Sequence, residues 1–132
     1  MPEGATVLVV DDNAMSRELA HDLLEDAGYD VRLASTAEAA IALAERDRPA
    51  VIVLDWHLKG TTGADVLRAV RGADAPRTAV LVVTADIRPD VRALALAAGA
   101  DAVMTKPYRA RGLLEAVAGL AAGATDAAGE EC

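Results

Sequence analysis

The stretch "VLVVDD", residues 7–12, decides how the rest of this sequence is read. Four consecutive apolar residues run directly into two adjacent carboxylates, Asp11 and Asp12. A continuous run of Val and Leu is typical of a parallel strand that is covered on both faces. Adjacent carboxylates repel each other, so a pair at the end of a buried strand indicates a binding site for positive charge.

Further apolar runs follow, and longer amphipathic segments separate them. The predicted strands are residues 6–10, 31–33, 51–54, 79–83 and 102–104. The second run lies within "DVRLAS", residues 30–35, whose alternation of apolar and polar side chains is typical of a half-exposed edge strand. Strand and helix patterns alternate without an internal repeat. The sequence therefore predicts an α/β fold, a single-domain doubly wound five-stranded parallel sheet of the (βα)5 type.

The intervening segments have the apolar spacing of amphipathic helices. The predicted buried stripes are Met15, Leu19 and Leu23; Ile41 and Ala44; Val66, Leu67 and Val70; Val91, Leu94, Ala95 and Ala98; and Leu113, Val117 and Leu120. Gly28 is placed to end the first helix in the left-handed conformation. Ser35 and Glu38 form an S-x-x-E capping box, which predicts the start of the second helix.

The length and charge of the chain limit its class. Its 132 residues suffice for one domain, which we predict at residues 5–121, after an N-terminal extension at 1–4 and before a flexible tail at 122–132. The apolar runs are shorter than the ~20 residues of a membrane span. The net charge of −8 disfavours direct binding to nucleic acid or to anionic membranes. Without an export signal and with one cysteine, Cys132, we expect a cytoplasmic protein.

Polar side chains follow four of the five predicted strands. Asp11 and Asp12 follow the first strand, Asp55 the third, Thr84 the fourth and Lys106 the fifth. Open parallel sheets bind ligands at the edge where the carboxyl ends of their strands meet. Clustered carboxylates favour a divalent cation, and Mg²⁺ prefers such oxygen ligands while keeping waters for a phosphate. The sequence therefore predicts a Mg²⁺ site at this edge.

The same edge indicates a reaction. Asp55, on the central strand, is placed to attack a phosphoryl donor and to become an aspartyl phosphate. Lys106 and Thr84 offer an ammonium and a hydroxyl that suit phosphoryl oxygens, so these three residues are the candidate catalytic groups.

Four stretches in order carry a resemblance to a known family: "VLVVDDN", "VIVLDWHLKGTTG", "VLVVTA" and "VMTKPY". Together they resemble the receiver domain of two-component response regulators, of the CheY-like superfamily, over roughly residues 5–121. The resemblance implies the flavodoxin-like strand order 2-1-3-4-5 and a function in two-component signalling.

The resemblance also implies roles for the matching residues. Asp55 would accept a phosphoryl group from a phosphohistidine on a histidine kinase or a histidine phosphotransfer protein. Asp12 would ligate Mg²⁺ directly and Asp11 through water, and the backbone carbonyl of His57 would complete the protein ligands.

The phosphoryl group itself would be bound by Thr84 and Lys106, as the resemblance implies. Ala85 would be small enough to admit it. The Lys106–Pro107 peptide bond would be cis, an inference that depends on the resemblance because only ~5–6% of X-Pro bonds in folded proteins are cis.

The sequence departs from the family at two positions. Lys59 stands four residues after Asp55, where the family commonly has a proline. Val103 stands three residues before Lys106, where the family usually has a Tyr or Phe that turns inward when the threonine moves. Valine has no ring whose rotation could signal the movement of the threonine. We therefore expect that movement to be transmitted to a partner through Tyr108 or through backbone shifts.

Two further positions are expected to tune the site. His57 and Asp86 match the positions that line the path of the hydrolytic water in relatives, so they would set the lifetime of the phosphate in a direction that the sequence leaves open. The ring of His57 is not expected to bind metal, since no second His or Cys lies at ligand spacing. Trp56 is expected to be partly exposed beside the site.

Functions of other classes fit this sequence less well. A phosphohydrolase with an aspartate nucleophile needs an acid two residues after Asp55, where His57 stands. A flavin carrier needs a phosphate-binding loop after the first strand, where "DDNAM" is acidic. A receiver that is never phosphorylated would lack a site residue, and none is missing.

The expected output is protein binding rather than enzymatic turnover beyond self-phosphorylation and autodephosphorylation. No output domain follows, so we favour a stand-alone single-domain regulator; the alternative is a receiver from a hybrid histidine kinase or a longer regulator. The target would bind the face of the fourth helix, fifth strand and fifth helix. That face includes "RALALAAGA", residues 92–100, in which Leu96 lies off the buried stripe.

Overall fold

The carboxyl ends of five parallel strands meet at one edge of a single sheet. This computed structural model describes residues 5–72 and 78–125. In chain order the strands are β1 (Thr6–Val10), β2 (Asp30–Ala34), β3 (Val51–Asp55), β4 (His57–Leu58), β5 (Thr61–Thr62), β6 (Ala79–Thr84) and β7 (Ala102–Thr105). The sheet order is β2-β1-β3-β6-β7, and β4 and β5 form a separate hairpin. Counted over the sheet strands alone, this is the predicted order 2-1-3-4-5, and the predicted fold is confirmed.

Helices cover both faces of the sheet. They are α1 (Ala14–Asp26), α2 (Ala37–Asp47), α3 (Ala64–Gly72), α4 (Pro89–Ala97) and α5 (Ala110–Thr125). Within β1, Leu8 and Val10 pack into a cluster with α2, α3 and α4, whereas Val7 and Val9 pack into a cluster with α1 and α5. Both faces of β1 are therefore buried, which accounts for its continuous apolar sequence. No helix in the described ranges combines the length and apolarity that crossing a membrane requires.

The predicted buried stripe of α1 is wrong at Met15 and Leu19, whereas Leu23 packs partly buried against the core as predicted. Met15 and Leu19 are 81% and 54% exposed, and the buried residues are Ala20 and Leu24. The guanidinium of Arg17 donates a hydrogen bond to the backbone carbonyl that follows β1, at Asp11, over 2.8 Å. This contact turns the face of residues 17, 20 and 24 toward the sheet, and the small Ala20 lets the helix approach closely.

The predicted cap of α2 is also displaced by one residue. Thr36, rather than Ser35, has extended backbone angles, and its side chain accepts a hydrogen bond from the backbone N–H of Ala39 over 3.1 Å. Glu38 lies in the first turn, where the helix dipole favours a negative charge. Gly28 follows α1 with a φ of 101°, the left-handed conformation that the sequence predicted.

Trp56 is buried, although the sequence suggested partial exposure. Its relative exposure is 6%, and its ring belongs to the core cluster beneath α2, α3 and α4. The backbone N–H of Trp56 donates to the carbonyl of Val83, and its own carbonyl accepts from Gly63 over 2.6 Å. Hydrogen bonding of the β3 segment to β6 thus continues one residue beyond Asp55 and holds Trp56 against the core.

Two helix predictions near the C-terminus need correction. Leu94 is 57% exposed, because α4 contacts the sheet through the narrow face of Val91 and Ala95. The helix α5 continues to Thr125, past the predicted domain end at 121, since Ala121 is fully buried against the sheet. The predicted extension at 1–4 and residues 126–132 of the predicted tail, including Cys132, lie outside the described residues.

Gly99 ends α4 at a point where the backbone and a side chain both require glycine. Its φ is 116°, and a Cβ added there would lie 3.0 Å from Cγ of Arg71. The Arg71 guanidinium donates to the carbonyls of Gly99 and Thr78 and to the carboxylate of Asp101. This arginine therefore fastens the C-terminal ends of α3 and α4 to the edge of the sheet opposite the predicted site.

We expect Gly99→Ala to lower the free energy of unfolding by about 1–3 kcal/mol, because alanine disfavours this φ and its Cβ crowds Arg71. Gly119→Ala is the control, since Gly119 lies inside α5 with open space around it and should gain roughly 0.5–1 kcal/mol. Urea unfolding followed by circular dichroism measures both. Unchanged stability of Gly99→Ala would contradict the requirement for glycine.

Candidate functional site

The C-terminal edge of the sheet brings the predicted site residues together. Asp11 follows β1, Asp55 ends β3, Thr84 ends β6 and Lys106 follows β7. The ammonium of Lys106 lies 2.9 Å from an oxygen of Asp11 and 3.4 Å from an oxygen of Asp55. Strands that are distant in sequence therefore place two carboxylates and one ammonium in contact.

Asp12 completes a cluster of three acids. Asp11, Asp12 and Asp55 each offer one carboxylate oxygen, and these oxygens lie within 4.8 Å of one another. Asp11 is buried, Asp55 is half-buried and Asp12 is exposed. Three carboxylates beside the single ammonium of Lys106 leave an excess of negative charge. Oxygen donors at this spacing suit Mg²⁺, which accepts a few carboxylates and keeps several waters.

The pKa values of Asp55 and Lys106 are both raised from their ordinary values. Burial raises the pKa of the Asp55 carboxyl to about 6; Lys106 opposes this shift, and the nearby carboxylate of Asp11 adds to it. Burial alone would lower the pKa of the Lys106 ammonium, but its contacts with Asp11 and Asp55 outweigh burial, so the pKa is raised. Lys106 therefore stays protonated, and a cation bound beside Asp55 would favour the charged form of its carboxyl.

The residues after Asp11 hold its carboxylate in place. The backbone N–H of Asn13 donates to an Asp11 oxygen over 2.9 Å. The side chain of Asn13 accepts from the N–H of Ser16 and caps α1. Sequence reasoning missed this role of Asn13, although an asparagine just before an amphipathic segment is a recognised cap signal. One residue therefore ties the helix start to the acid cluster.

Thr84 is buried at the inner side of the site, with 1% exposure. Its hydroxyl oxygen accepts a hydrogen bond from the backbone N–H of Asp86 over 3.0 Å, and its carbonyl accepts from the N–H of Lys106 over 2.8 Å. Since a hydroxyl can donate while it accepts, Thr84 can still donate to an oxygen bound at the site. The Lys106–Pro107 peptide bond, which follows β7, is cis as the resemblance implied.

His57 and Asp86 meet across the mouth of the site. The ring Nε2 of His57 lies 3.1 Å from Oδ2 of Asp86. Arg88 binds the same carboxylate, with Nε 2.8 Å from Oδ1 and Nη2 2.5 Å from Oδ2. The Arg88 guanidinium is the main cause that lowers the pKa of Asp86 far below its usual range. Sequence reasoning selected His57 and Asp86 but missed Arg88, and no motif signalled it.

A groove of about 280 Å³ opens beside Lys106. Its lining residues are Ser16, Leu19, Ala85, Lys106, Pro107 and Tyr108. Tyr108 also packs against the core cluster of α1 and α5, and burial raises the pKa of its phenol. Tyr108 is therefore partly buried against the core beside the site.

Val103 and Lys59, the two residues that depart from the family pattern, differ in burial. Val103 is partly buried and packs on the cluster of α2, α3 and α4, and its carbonyl lies 3.4 Å from Nη1 of Arg92. Lys59 is exposed in the turn between β4 and β5, followed by Gly60 with a φ of 80°. The hairpin, which the sequence did not predict, shapes the loop where relatives would have proline. Gly63 follows the hairpin and donates its N–H to the carbonyl of Trp56, and a Cβ there would lie 3.0 Å from Cδ2 of Leu54.

The comparison with known proteins agrees with this geometry. A family model described as the response regulator receiver domain matches residues 7–118. The chemotaxis protein CheY of Pseudomonas aeruginosa is 34% identical over 117 residues, which cover 84% of this chain and 91% of that protein. The phosphate regulon transcriptional regulatory protein PhoB of the same organism is 36% identical over 84% of this chain and 49% of that protein.

Solved structures show the same fold. The receiver domain of the sensor histidine kinase PA1611 from Pseudomonas aeruginosa, described with a magnesium ion coordinated in its active site cleft, has a TM-score of 0.83 and 26% identity over 90% of this chain and 98% of that chain. The chain spans less than half the length of the first curated relatives it matches, with 44%, 49% and 16% covered. By its sequence match, its fold and its acid cluster, this chain belongs to the response regulator receiver domain family of two-component signalling.

Proposed function

We propose that this chain accepts a phosphoryl group on Asp55 from a phosphohistidine of a histidine kinase or histidine phosphotransfer protein, and that it relays the signal by phosphorylation-dependent protein binding. The position of the Asp55 carboxylate carries this proposal. It lies 3.4 Å from the ammonium of Lys106 and belongs to the acid cluster with Asp11 and Asp12. A nucleophile flanked by fixed charges has the surroundings that stabilise a transferred phosphoryl group.

The chain's own residues supply the nucleophile and most of the positioning. An oxygen of Asp55 forms a bond to phosphorus while the bond from phosphorus to the donor's imidazole nitrogen breaks and its electron pair stays on that nitrogen. Lys106 and the hydroxyl of Thr84 are placed to bind the equatorial oxygens, where the negative charge lies. The small side chain of Ala85 leaves room beside them.

Mg²⁺ is the proposed cofactor. Asp11, Asp12, Asp55 and the backbone carbonyl of His57 would hold it, and the N–H of His57 already lies 3.3 Å from an Asp55 oxygen. Bound there, the ion supplies positive charge to the phosphoryl oxygens and to Asp55. The raised pKa of Asp55 is consistent with this assignment, because burial chiefly, and the nearby Asp11 carboxylate, disfavour the charged form that a bound ion would stabilise.

The relatives support two settings for this receiver. The chain covers 91% of CheY, whereas PhoB and PA1611 carry receivers within a transcriptional regulator and a sensor histidine kinase. We propose that this receiver acts in the cytoplasm, with no enzymatic turnover besides gain and loss of its own phosphoryl group. Its net charge of −8 argues against direct contact with nucleic acid or anionic membranes.

The proposed target-binding face is formed by α4, β7 and α5. On α4, Leu94 and Leu96 are 57% and 41% exposed, so this helix presents apolar area to a partner. Leu96→Ser should weaken binding of the phosphorylated chain to its target in a pull-down. Equal recovery of the target by the wild-type chain and by Leu96→Ser would show that the interface lies on another face.

Asp55→Asn tests the site of phosphorylation. After incubation with Mg²⁺ and a small phosphodonor, the wild-type chain should gain the mass of one phosphoryl group by intact mass spectrometry, and Asp55→Asn should gain none. Asp26→Asn is the matched control, because Asp26 is an exposed aspartate at the end of α1 and should leave uptake unchanged. Uptake that persists in Asp55→Asn would place the nucleophile elsewhere and refute the proposal.

The stability of the metal-free protein should depend on the ionisation of Asp55. Its carboxyl has a pKa of about 6 in the folded protein against about 3.9 in an unfolded chain, so the folded state binds the proton more tightly. The wild-type chain should therefore gain about 1–2 kcal/mol relative to Asp55→Asn as pH falls from 7 to 4, with the gain starting near pH 6. Urea unfolding in EDTA at several pH values measures this difference.

At pH 7, added Mg²⁺ should raise the free energy of unfolding of the wild-type chain more than that of Asp55→Asn. An ion that binds only the folded state raises stability by mass action, so the wild-type chain should be stabilised more than Asp55→Asn, which lacks one charged ligand. The same denaturation series with Mg²⁺ in place of EDTA gives the comparison. Equal stabilisation of both proteins would show that Asp55 takes no part in the metal site.

A further inference from the structure

Arg17 reaches from the helix α1 back to the end of the strand β1. Its Nη1 donates a hydrogen bond to the backbone carbonyl of Asp11 over 2.8 Å, and the contact is partly buried. The helix that carries the arginine is itself held in place, because Asn13 caps it and Ala20 and Leu24 are buried in the core cluster. The guanidinium therefore connects a packed helix to the peptide bond that joins two acids of the proposed Mg²⁺ site.

The carboxylates of Asp11 and Asp12 are held in different ways. One oxygen of Asp11 accepts a hydrogen bond from the N–H of Asn13 over 2.9 Å, and the other lies 2.9 Å from the ammonium of Lys106. The carboxylate of Asp12 is exposed, and within residues 5–72 and 78–125 no hydrogen bond or ion pair holds it. Its place in the acid cluster therefore depends on the backbone of Asp12.

The planarity of the peptide group links the contact at Asp11 to the position of Asp12. The Cα atom and the carbonyl of Asp11 lie in one plane with the N–H and the Cα atom of Asp12. A hydrogen bond that fixes the direction of this carbonyl fixes the plane, and with it the point where the Asp12 side chain begins. On the strand side, the N–H of Asp11 donates to the carbonyl of Ala34 over 3.1 Å. The peptide between the acids is therefore held both by the sheet and by α1.

The positive charge of Arg17 gives no reason for this arrangement. In the part of the chain that the structure describes, the guanidinium forms no ion pair and donates to a backbone carbonyl instead. A positive charge near three carboxylates opposes the binding of a cation. Loss of the charge alone would therefore strengthen Mg²⁺ binding, whereas loss of a contact that holds Asp12 would weaken it. The two roles predict changes of opposite sign.

We propose that Arg17 is a positioning residue, which orients the peptide between Asp11 and Asp12 so that the Asp12 carboxylate lies where it can bind Mg²⁺. The inference rests on the Mg²⁺ site proposed above. Arg17 acts on the ion through Asp12 and does not bind it. The affinity of the acid cluster for Mg²⁺ thus depends on how α1 packs against the sheet.

The Mg²⁺ affinity of the folded chain tests this role. Isothermal titration calorimetry with Mg²⁺ alone, on protein whose folding is verified by circular dichroism, gives the dissociation constant. Arg17→Met keeps a long side chain and removes the donor. It should weaken Mg²⁺ binding about tenfold, the lower end of the effect of losing a group that orients a metal ligand.

Arg46→Met is the matched control. Arg46 is an exposed arginine in the last turn of α2, where it pairs with Asp47, and its replacement changes the net charge by the same amount. The Mg²⁺ affinity of this variant should equal that of the wild type.

Two further variants separate positioning from charge. Arg17→Lys keeps the positive charge on a shorter side chain, so it should weaken Mg²⁺ binding about threefold, and it carries the test if Arg17→Met does not fold. In an Asp12→Ala background, Arg17→Met should change the affinity by less than about twofold, because both substitutions act on one ligand.

Several results would contradict the positioning role. Lower stability of Arg17→Met in EDTA with unchanged Mg²⁺ affinity would leave Arg17 a structural role only. Tighter binding in Arg17→Met, or wild-type binding in Arg17→Lys, would show that charge alone acts at this position. Additive effects in the double variant would mean that Arg17 acts independently of Asp12. A wild-type chain that binds no Mg²⁺ would refute the proposed metal site, whereas a wild-type chain that binds Mg²⁺ no better than Arg17→Met would refute this inference alone.

Discussion

The contact of one ammonium with two carboxylates is the constraint on which the site depends. Lys106 reaches Asp11 and Asp55 together, and Asp12 adds a further negative charge that the ammonium does not balance. In a loose loop these acids would move apart into water. Here each belongs to the end of a strand whose neighbours are buried on both faces, so separation would disrupt the sheet. The packing of the core thus holds like charges together, an arrangement that favours binding of a cation.

The sequence alone was enough to predict most of this arrangement. Continuous apolar runs mark strands buried on both faces, and β1 begins and ends at the predicted residues. In a parallel sheet the residues that follow the strands share one edge, so the sequence alone places Asp11, Asp55, Thr84 and Lys106 together. Each of these inferences uses local pattern and one topological rule, and both are independent of side-chain detail.

Features that depend on contacts between distant residues could not be predicted in the same way. The four-residue spacing of Met15 and Leu19 fits a helix, but the side that faces the sheet is set by Arg17 and by the size of Ala20. Likewise, His57 and Asp86 are 29 positions apart, and the sequence gives no sign that their side chains meet or that Arg88 binds one of them. Burial of Trp56 follows from a strand pairing that continues beyond the last apolar residue of β3.

That burial has a practical consequence. Trp56 is the one tryptophan of the chain, it follows Asp55 directly, and its ring lies in the core rather than in solvent. Indole emission, excited selectively over the two tyrosines, therefore originates from a single residue, covalently next to the carboxylate on which the chemistry is proposed. The chain thus carries a built-in indole probe, whose response to occupancy of the site can be tested without an added label.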